Sequence, residues 1–167
     1  MRDMIRRRQH GRRRKGESHA EVMEEKRREP EWMKMEIESR SENEEFARVA
    51  VAVFLSRLDP TVEEMDDIKT AVSEAVTNAV IHGYQGGEGT IYIETGIAGR
   101  KRTVIVRDLG VGIPDIEEGH GAHVHYRPFR RRSGMGFSFM EAFMDEVKVE
   151  SEPGKGTTVT LKKTVGR

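Results

Sequence analysis

Alternating apolar and polar residues mark the start of the organised sequence. Met33, Met35 and Ile37 alternate with charged residues, which is the period-two pattern of a strand with one buried face. A helical pattern follows over residues 41–57, and its apolar stripe consists of Phe46, Val49, Ala50, Val53 and Phe54. This part of the chain therefore predicts a strand and then a helix whose stripe faces the core.

A second helix is predicted after the Asp59-Pro60 break. Thr61 and Glu64 have the spacing of a capping box, in which each residue's side chain satisfies the other's backbone N–H. The helical pattern continues to about His82 and ends at the glycines that follow it. Its apolar stripe consists of Met65, Ile68, Val72, Val76 and Ala79.

The rest of the pattern predicts four strands and one helix. The strands are expected at residues 90–95, 103–107, 147–150 and 157–162, and the helix at residues 137–144. Turns are expected at residues 96–101 and 153–156. Together these elements predict an α+β fold, a two-layer α/β sandwich with a mixed, mainly antiparallel sheet and helices on one face.

Composition limits the class of protein. A chain of 167 residues with 35% hydrophobic content has room for one domain with a core. It has no cysteine, so it has neither a disulfide framework nor a thiolate zinc site, and we expect a reducing compartment. The sequence contains no membrane-spanning run or secretory signal, so we expect a cytoplasmic protein that does not bind a membrane. A net charge of zero argues against direct nucleic-acid binding by the whole chain.

Charge is unevenly distributed, because residues 1–32 contain arginine clusters followed by a mixture of Glu, Lys and Arg. We expect this segment to be a basic, disordered N-terminal extension and residues 33–167 to be the folded domain. A nucleic-acid or membrane-surface arm is one alternative. Another is that Met33 or Met35 is the true start of the protein.

Two polar residues on the second predicted helix are candidates for chemistry. Glu74 and Asn78 are four residues apart, so they share one side of the helix, away from its apolar stripe. A carboxylate there could activate a hydroxyl, and an amide oxygen could ligate Mg²⁺. The alternative is an ordinary solvated helix face.

A second candidate lies at the end of a predicted strand. Asp108 follows an apolar strand, and Gly110 and Gly112 alternate after it. An aspartate there could accept a hydrogen bond from the amino group of adenine, and glycines would let the backbone approach a flat base closely. A simple turn is the alternative, because aspartate and glycine are common turn residues.

A third candidate precedes the last helix. The amides of Gly134 and Gly136 could point at phosphate groups, with the helix N-terminus behind them. Arg132 could contact the same phosphates, although three adjacent arginines can also be a solvated run.

These motifs, in this order, resemble a known set. The Glu-x-x-x-Asn helix, the Asp-x-Gly-x-Gly strand end, the Gly-x-Gly before a helix and Gly156-Thr157-Thr158 are similar to the four ATP boxes of the gyrase, heat-shock chaperone, histidine kinase and MutL superfamily. Residues 33–164 resemble the anti-sigma-F factors of spore-forming bacteria more closely. The segments that carry this closer resemblance are 46–49, 59–61, 68–70, 73–79, 81–84 and 132–137.

The resemblance implies a Bergerat-type ATP-binding fold, with ATP and Mg²⁺ as cofactors. It implies a homodimer that sequesters a sigma-F-like sporulation sigma factor and phosphorylates a serine of an anti-anti-sigma protein. Glu74 would be the general base, Asn78 would hold Mg²⁺, and Asp108 would read adenine. Arg48 would dock partner proteins. The residues that would line the nucleotide are Gly110, Gly112, Gly134, Gly136 and Thr157.

Residues 119–131 depart from the family pattern. The family has a lid segment there that closes over the ATP phosphates, whereas this chain carries His120, His123 and His125. A metal site is one interpretation, but no second element is available to fix the ligands. A nucleotide sequence that encodes these residues can, when read one base later, encode a segment of equal length with the family's lid pattern. Our hypothesis is a pair of compensating frameshifts, which resequencing would reveal. If the segment is real, nucleotide-dependent sigma binding without kinase activity is the alternative function.

Overall fold

Five strands and three helices make up the part of the chain that the computed structural model describes, which is residues 29–57, 59–113 and 135–166. In chain order they are β1 (Glu31–Glu38), α1 (Glu42–Leu55), α2 (Val62–Asn78), β2 (Thr90–Ala98), β3 (Lys101–Arg107), α3 (Met135–Phe143), β4 (Glu146–Glu152) and β5 (Gly156–Thr164). A π-helical turn, Ala79–Gly83, continues α2. The predicted α+β class and the predicted order of elements are confirmed.

The strands form one sheet in the order β1-β2-β3-β5-β4, and each described pair is antiparallel. The first hairpin turns at Gly99 and Arg100, so the predicted turn over residues 96–101 was too long. Gly96 lies within β2 opposite Trp32, and a Cβ at Gly96 would lie 2.9 Å from the indole ring. This glycine makes room for the tryptophan ring and does not end the strand.

The helices cover one face of the sheet. Alternate strand residues, such as Ile93 on β2, Val104 on β3 and Leu161 on β5, are buried beneath them. The predicted stripe of α2 faces this core, with Ile68, Val72 and Val76 fully buried. The helices and the sheet therefore form the predicted two-layer sandwich.

The capping box at the start of α2 is confirmed. The Thr61 hydroxyl accepts from the Glu64 backbone N–H at 3.1 Å, and the Glu64 carboxylate accepts from the Thr61 N–H at 2.8 Å. The Glu64 carboxylate also accepts from the Gly166 N–H at 3.1 Å. The backbone hydrogen bond from Thr61 is the main reason why the pKa of Glu64 is lowered. One carboxylate thus connects the start of α2 to the C-terminal end of the described chain.

The predicted apolar stripe of α1 was wrong for three of its residues, whereas Phe54 is partly buried and packs against the core. Phe46, Val49 and Val53 are 61%, 48% and 67% exposed, whereas the buried residues of this helix are Ala47, Val51 and Leu55. The buried set has four-residue spacing, so it forms a narrow face against the sheet and α2. Apolar residues cover more than half of the circumference of α1, and the core contacts only one part of it.

Arg102 is a fully buried arginine that the sequence pattern did not indicate. Its guanidinium donates to the carbonyl oxygens of Leu55 at 3.3 Å and Arg57 at 2.7 Å, which are at the end of α1. It also donates to the Gly99 carbonyl in the β2–β3 turn at 2.7 Å. Carbonyls at a helix C-terminus have no partner within the helix, and here a side chain from β3 supplies the donors.

Several predictions concern residues outside the described part. The N-terminal extension lies mostly in residues 1–28, and the altered segment 119–131, Arg132 and Gly134 lie in residues 114–134. No helix in the described ranges combines the length and the apolar character that crossing a membrane requires.

Replacing Arg102 by Met should lower the free energy of unfolding by about 3 kcal/mol, because buried carbonyls at the end of α1 would lose charged donors. Chemical denaturation monitored by circular dichroism measures this loss. The matched control is Lys101→Met at the exposed neighbouring position, which should change stability by less than about 0.5 kcal/mol. Equal stability of the two variants would contradict the capping role of Arg102.

Candidate functional site

A cavity of about 440 Å³ opens between the end of α2, the β3–β5 end of the sheet and the start of α3. It is lined by Ala75, Asn78, Ala79, His82, Gly83, Gln85, Val106, Asp108, Val111, Gly112, Ile113, Phe137, Thr157 and Val159. Most of this wall is apolar, with a few polar groups among the apolar side chains. A mainly apolar pocket with few polar groups suits a flat, partly polar ligand such as a nucleobase.

Asp108 places a carboxylate in the cavity wall directly after β3. The residue is 5% exposed, its Oδ1 accepts from the Gly110 N–H at 2.9 Å, and its own backbone N–H donates to the Thr157 carbonyl at 2.9 Å. Burial raises the pKa of this carboxyl, and hydrogen bonding of the carboxylate to the backbone of Gly110 and, secondarily, of Thr157 opposes that rise. A buried carboxylate in this position can accept a hydrogen bond from an amino group on a ligand.

Asn78, the last residue of α2, faces the same cavity. Its Nδ2 atom is buried and has no hydrogen-bond partner among the described residues. An unpaired buried amide nitrogen costs about 1–3 kcal/mol. A ligand or a water molecule in the cavity would supply the missing partner.

Glu74 lies one helical turn before Asn78 but is not among the residues that line the cavity. Its side chain is partly exposed on α2. The structure therefore brings together Asn78, Asp108, Gly112 and Thr157 and leaves Glu74 beside the cavity.

The loop after β3 packs directly on the π-helical turn. The Val111 N–H donates to the Gly83 carbonyl at 2.9 Å, and a Cβ at Gly110 would lie 2.0 Å from that same oxygen. A Cβ at Gly83 would lie 2.7 Å from Cγ of Asp108. These two glycines allow the two backbones to approach each other closely, and the approach brings Asp108 next to the end of α2.

The other end of this loop is attached to the β4–β5 hairpin. The Ser151 hydroxyl accepts from the Ile113 N–H at 2.9 Å and lies 2.9 Å from the Thr157 hydroxyl. Gly112 has a φ of 71°, and a Cβ there would lie 2.3 Å from the Glu152 carbonyl oxygen. The sequence pattern gives no indication of this role of Ser151.

Several cavity residues were missed from the sequence. Val106 lies two residues before Asp108 and Val159 two residues after Thr157, so strand alternation could have placed both on the face of the site. Phe137, in the first turn of α3, and His82, in the π-helical turn, also line the cavity. Gly136 lies beside Phe137 in the same helical turn.

Arg48 lies on α1 and is not among the residues that line the cavity. Its guanidinium forms ion pairs with Glu44 at 3.7 Å and Glu45 at 3.5 Å. Both partners belong to the same helix, and by helical spacing Arg48 lies next to the buried residues Val51 and Leu55, with its Nε atom buried.

Replacing Gly110 by Ala should lower the free energy of unfolding by about 3 kcal/mol, because the added Cβ collides with the backbone at Gly83. Thermal and chemical unfolding both measure this loss. The contrasting variant is Gly154→Ala, which has a φ of 78° but no atom within 4 Å of the added Cβ, and should cost about 1 kcal/mol. A Gly110→Ala protein as stable as Gly154→Ala would contradict the close backbone approach.

Comparison with known proteins agrees with this geometry. Residues 37–163 match the family model for the histidine kinase-like ATPase domain. The anti-sigma F factor of Clostridium kluyveri is 53% identical over 131 residues, which are 78% of this chain and 92% of that protein. The anti-sigma F factor of Geobacillus kaustophilus is 54% identical over 140 residues, which are 81% of this chain and 93% of that protein.

A solved structure shows the same fold. It contains the RsbU and RsbW domains of a Mycobacterium tuberculosis protein and matches 81% of this chain with a TM-score of 0.58 and 23% identity. The match spans 33% of that longer chain. Since the family model covers most of the sequence and the relatives are more than half identical to it, this chain belongs to the histidine kinase-like ATPase family and, within it, to the anti-sigma F factors.

Proposed function

We propose that the cavity binds the adenine nucleotide of ATP. The observation that carries this proposal is the pairing of two buried polar groups in one mainly apolar pocket, the Asp108 carboxylate and the unpartnered Asn78 amide nitrogen. The carboxylate accepts a hydrogen bond from the adenine amino group, while Val106, Ile113 and Val159 provide apolar contacts for the base. Membership of the ATPase family supports the same ligand.

Asn78 is the residue that we propose to hold Mg²⁺ with the nucleotide phosphates. Its side chain is at the cavity wall, where the amide oxygen would ligate the ion and the unpartnered Nδ2 would donate to a phosphate oxygen. In the described ranges, no three His, Cys, Asp or Glu side chains lie close enough together to hold a metal ion. Magnesium at this site would take Asn78 and phosphate oxygens among its ligands, and it would neutralise phosphate charge during transfer. The residues proposed to line the nucleotide are Gly112, Arg132, Gly134, Gly136 and Thr157. Gly110, which was predicted with them, is not among the residues that line the cavity.

We further propose that the protein is an anti-sigma factor and a serine kinase. It would bind and inhibit a sigma-F-like sporulation sigma factor and transfer the γ-phosphoryl group of ATP to a serine of an anti-anti-sigma protein. Glu74 would accept the serine proton as the oxygen attacks phosphorus and the bond to the β-phosphate oxygen breaks. The position of Glu74 beside the cavity supports this role, because the partner protein must present its serine from outside the nucleotide pocket.

A second candidate is nucleotide-dependent sigma binding without phosphoryl transfer. Residues 119–131 differ from the lid pattern of the family, and this difference favours the second candidate. Phosphoserine formation distinguishes the two candidates, because both require nucleotide binding and sigma binding.

The outer face of α1 is the proposed docking surface for protein partners. Phe46, Val49 and Val53 are exposed there in the same helix as Arg48. An exposed apolar row on a helix is typical of a protein interface. Arg48 lies around the helix from this row, next to the buried face, so its docking role is a separate proposal. The first strand and this helix would also support a homodimer. We propose that this domain, predicted as residues 33–167 but beginning with β1 at Glu31, acts in the cytoplasm and that the residues before it, predicted as 1–32, form a separate extension.

Replacing Glu74 by Gln should lower the rate of phosphoserine formation by about a thousandfold, because the amide cannot accept the serine proton. Radiolabelled transfer from Mg-ATP to the anti-anti-sigma protein measures the rate, and calorimetry should show that ATP binding is retained.

The matched control for this experiment is Glu63→Gln, an exposed glutamate in the first turn of α2, which should leave the rate unchanged. Equal transfer rates in wild type and Glu74→Gln would rule out Glu74 as the base. Wild-type protein that binds ATP and sigma factor but forms no phosphoserine would establish the second candidate function.

A further inference from the structure

The hydroxyl of Tyr84 joins two segments that lie far apart in the sequence. It donates to the Thr90 carbonyl at the start of β2 at 2.5 Å and accepts from the Leu109 backbone N–H at 2.9 Å. Leu109 is the residue between Asp108 and Gly110. The phenol therefore holds the loop that carries the Asp108 carboxylate against the first residue of β2.

Tyr84 is held through both its ring and its backbone. A Cβ at Gly89 would lie 2.2 Å from the ring, so glycine at this position makes room for it. The backbone N–H of Tyr84 donates to the Ala79 carbonyl at 2.9 Å, and its carbonyl accepts from the Gly87 N–H at 2.8 Å. A ring held in this way presents its hydroxyl at a defined position, and this is the condition under which a hydrogen bond can orient a loop.

The Asp108 carboxylate depends on the same short loop. Its Oδ1 accepts from the Gly110 N–H, so the peptide units on both sides of Leu109 are held by hydrogen bonds, one to Tyr84 and one to Asp108 itself. The loop is held a third time by the bond from the Val111 N–H to Gly83. Of these three bonds, only the one from the Leu109 N–H has as its acceptor a side chain outside the loop, that of Tyr84.

We propose that Tyr84 is a positioning residue for base recognition: its hydroxyl fixes the loop so that the Asp108 carboxylate is aligned with the amino group of adenine. This inference rests on the proposed binding of an adenine nucleotide in the cavity. Water can replace the phenol as an acceptor for the Leu109 N–H, because that bond lies near the surface. Water cannot fix the position of the loop, so the loss should appear in base discrimination more than in stability.

The test compares ADP with IDP, which has a carbonyl oxygen where adenine has its amino group. Calorimetric titration of the full chain gives the ratio of the two dissociation constants. In wild type, ADP should bind more tightly than IDP. Tyr84→Phe should reduce the preference for ADP by about fivefold, which corresponds to one oriented hydrogen bond.

A second variant tests the same hydrogen bond by displacing the ring of Tyr84. Gly89→Ala should displace the phenol and reduce the preference for ADP in the same direction. The control is Tyr92→Phe, whose ring lies on the outer sheet face beneath Arg107 and should leave the preference unchanged. Thermal unfolding of all three variants separates loss of folding from loss of discrimination.

An unchanged preference for ADP in Tyr84→Phe, or equal weakening of ADP and IDP, would overturn the positioning role while nucleotide binding stands. Failure of wild-type protein to bind ADP would overturn the proposed nucleotide site itself. A reduced preference in Tyr84→Phe and Gly89→Ala but not in Tyr92→Phe would support the proposal.

Discussion

Two backbone segments touch at the candidate site with no side chain between them. One is the π-helical turn that ends at Gly83, and the other is the loop after β3 that contains Gly110. The Gly83 carbonyl accepts from the Val111 N–H, and the Asp108 carboxylate packs against the α-carbon of Gly83. Because of this approach, the end of the helix that carries Asn78 and the end of the strand that carries Asp108 lie at one cavity.

The sequence pattern predicted both of these segments, but it could not show that they touch each other. The Asp-x-Gly-x-Gly motif indicated a close backbone approach, and a close approach to a base was expected. The structure shows that Gly110 already approaches Gly83 within the protein. Which atom a glycine makes room for depends on tertiary packing, and no periodicity in the sequence encodes that partner.

Secondary structure was largely predictable because its signals are local. The capping box at Thr61 and Glu64 set the start of α2, and the stripe of Ile68, Val72 and Val76 set its buried face. In helix α1, local sequence signals were not sufficient to identify the buried face. Its apolar residues surround most of the helix, so the pattern was compatible with several buried faces, and contact with the sheet and α2 selected Ala47, Val51 and Leu55.

Buried polar groups were the least predictable part of the fold and of the site. Arg102 lies in a strand where its neighbours Lys101 and Arg100 are also basic, and only the tertiary structure shows that its guanidinium reaches the end of α1. The Tyr84 hydroxyl was missed for the same reason. Both residues act through hydrogen bonds to carbonyls or amides that are distant in sequence, so neither composition nor spacing reveals them.

The NMR signal of the Asn78 side-chain amide tests most directly whether Asn78 and Asp108 face one nucleotide. The sequence contains two asparagines, and the other, Asn43, donates to the Glu38 carbonyl at 2.9 Å on the α1 side of the molecule. In protein labelled with ¹⁵N at asparagine, saturating Mg-ADP should shift the Asn78 resonances and leave those of Asn43 in place. Unchanged Asn78 resonances in protein that calorimetry shows to be saturated with Mg-ADP would contradict the proposed site.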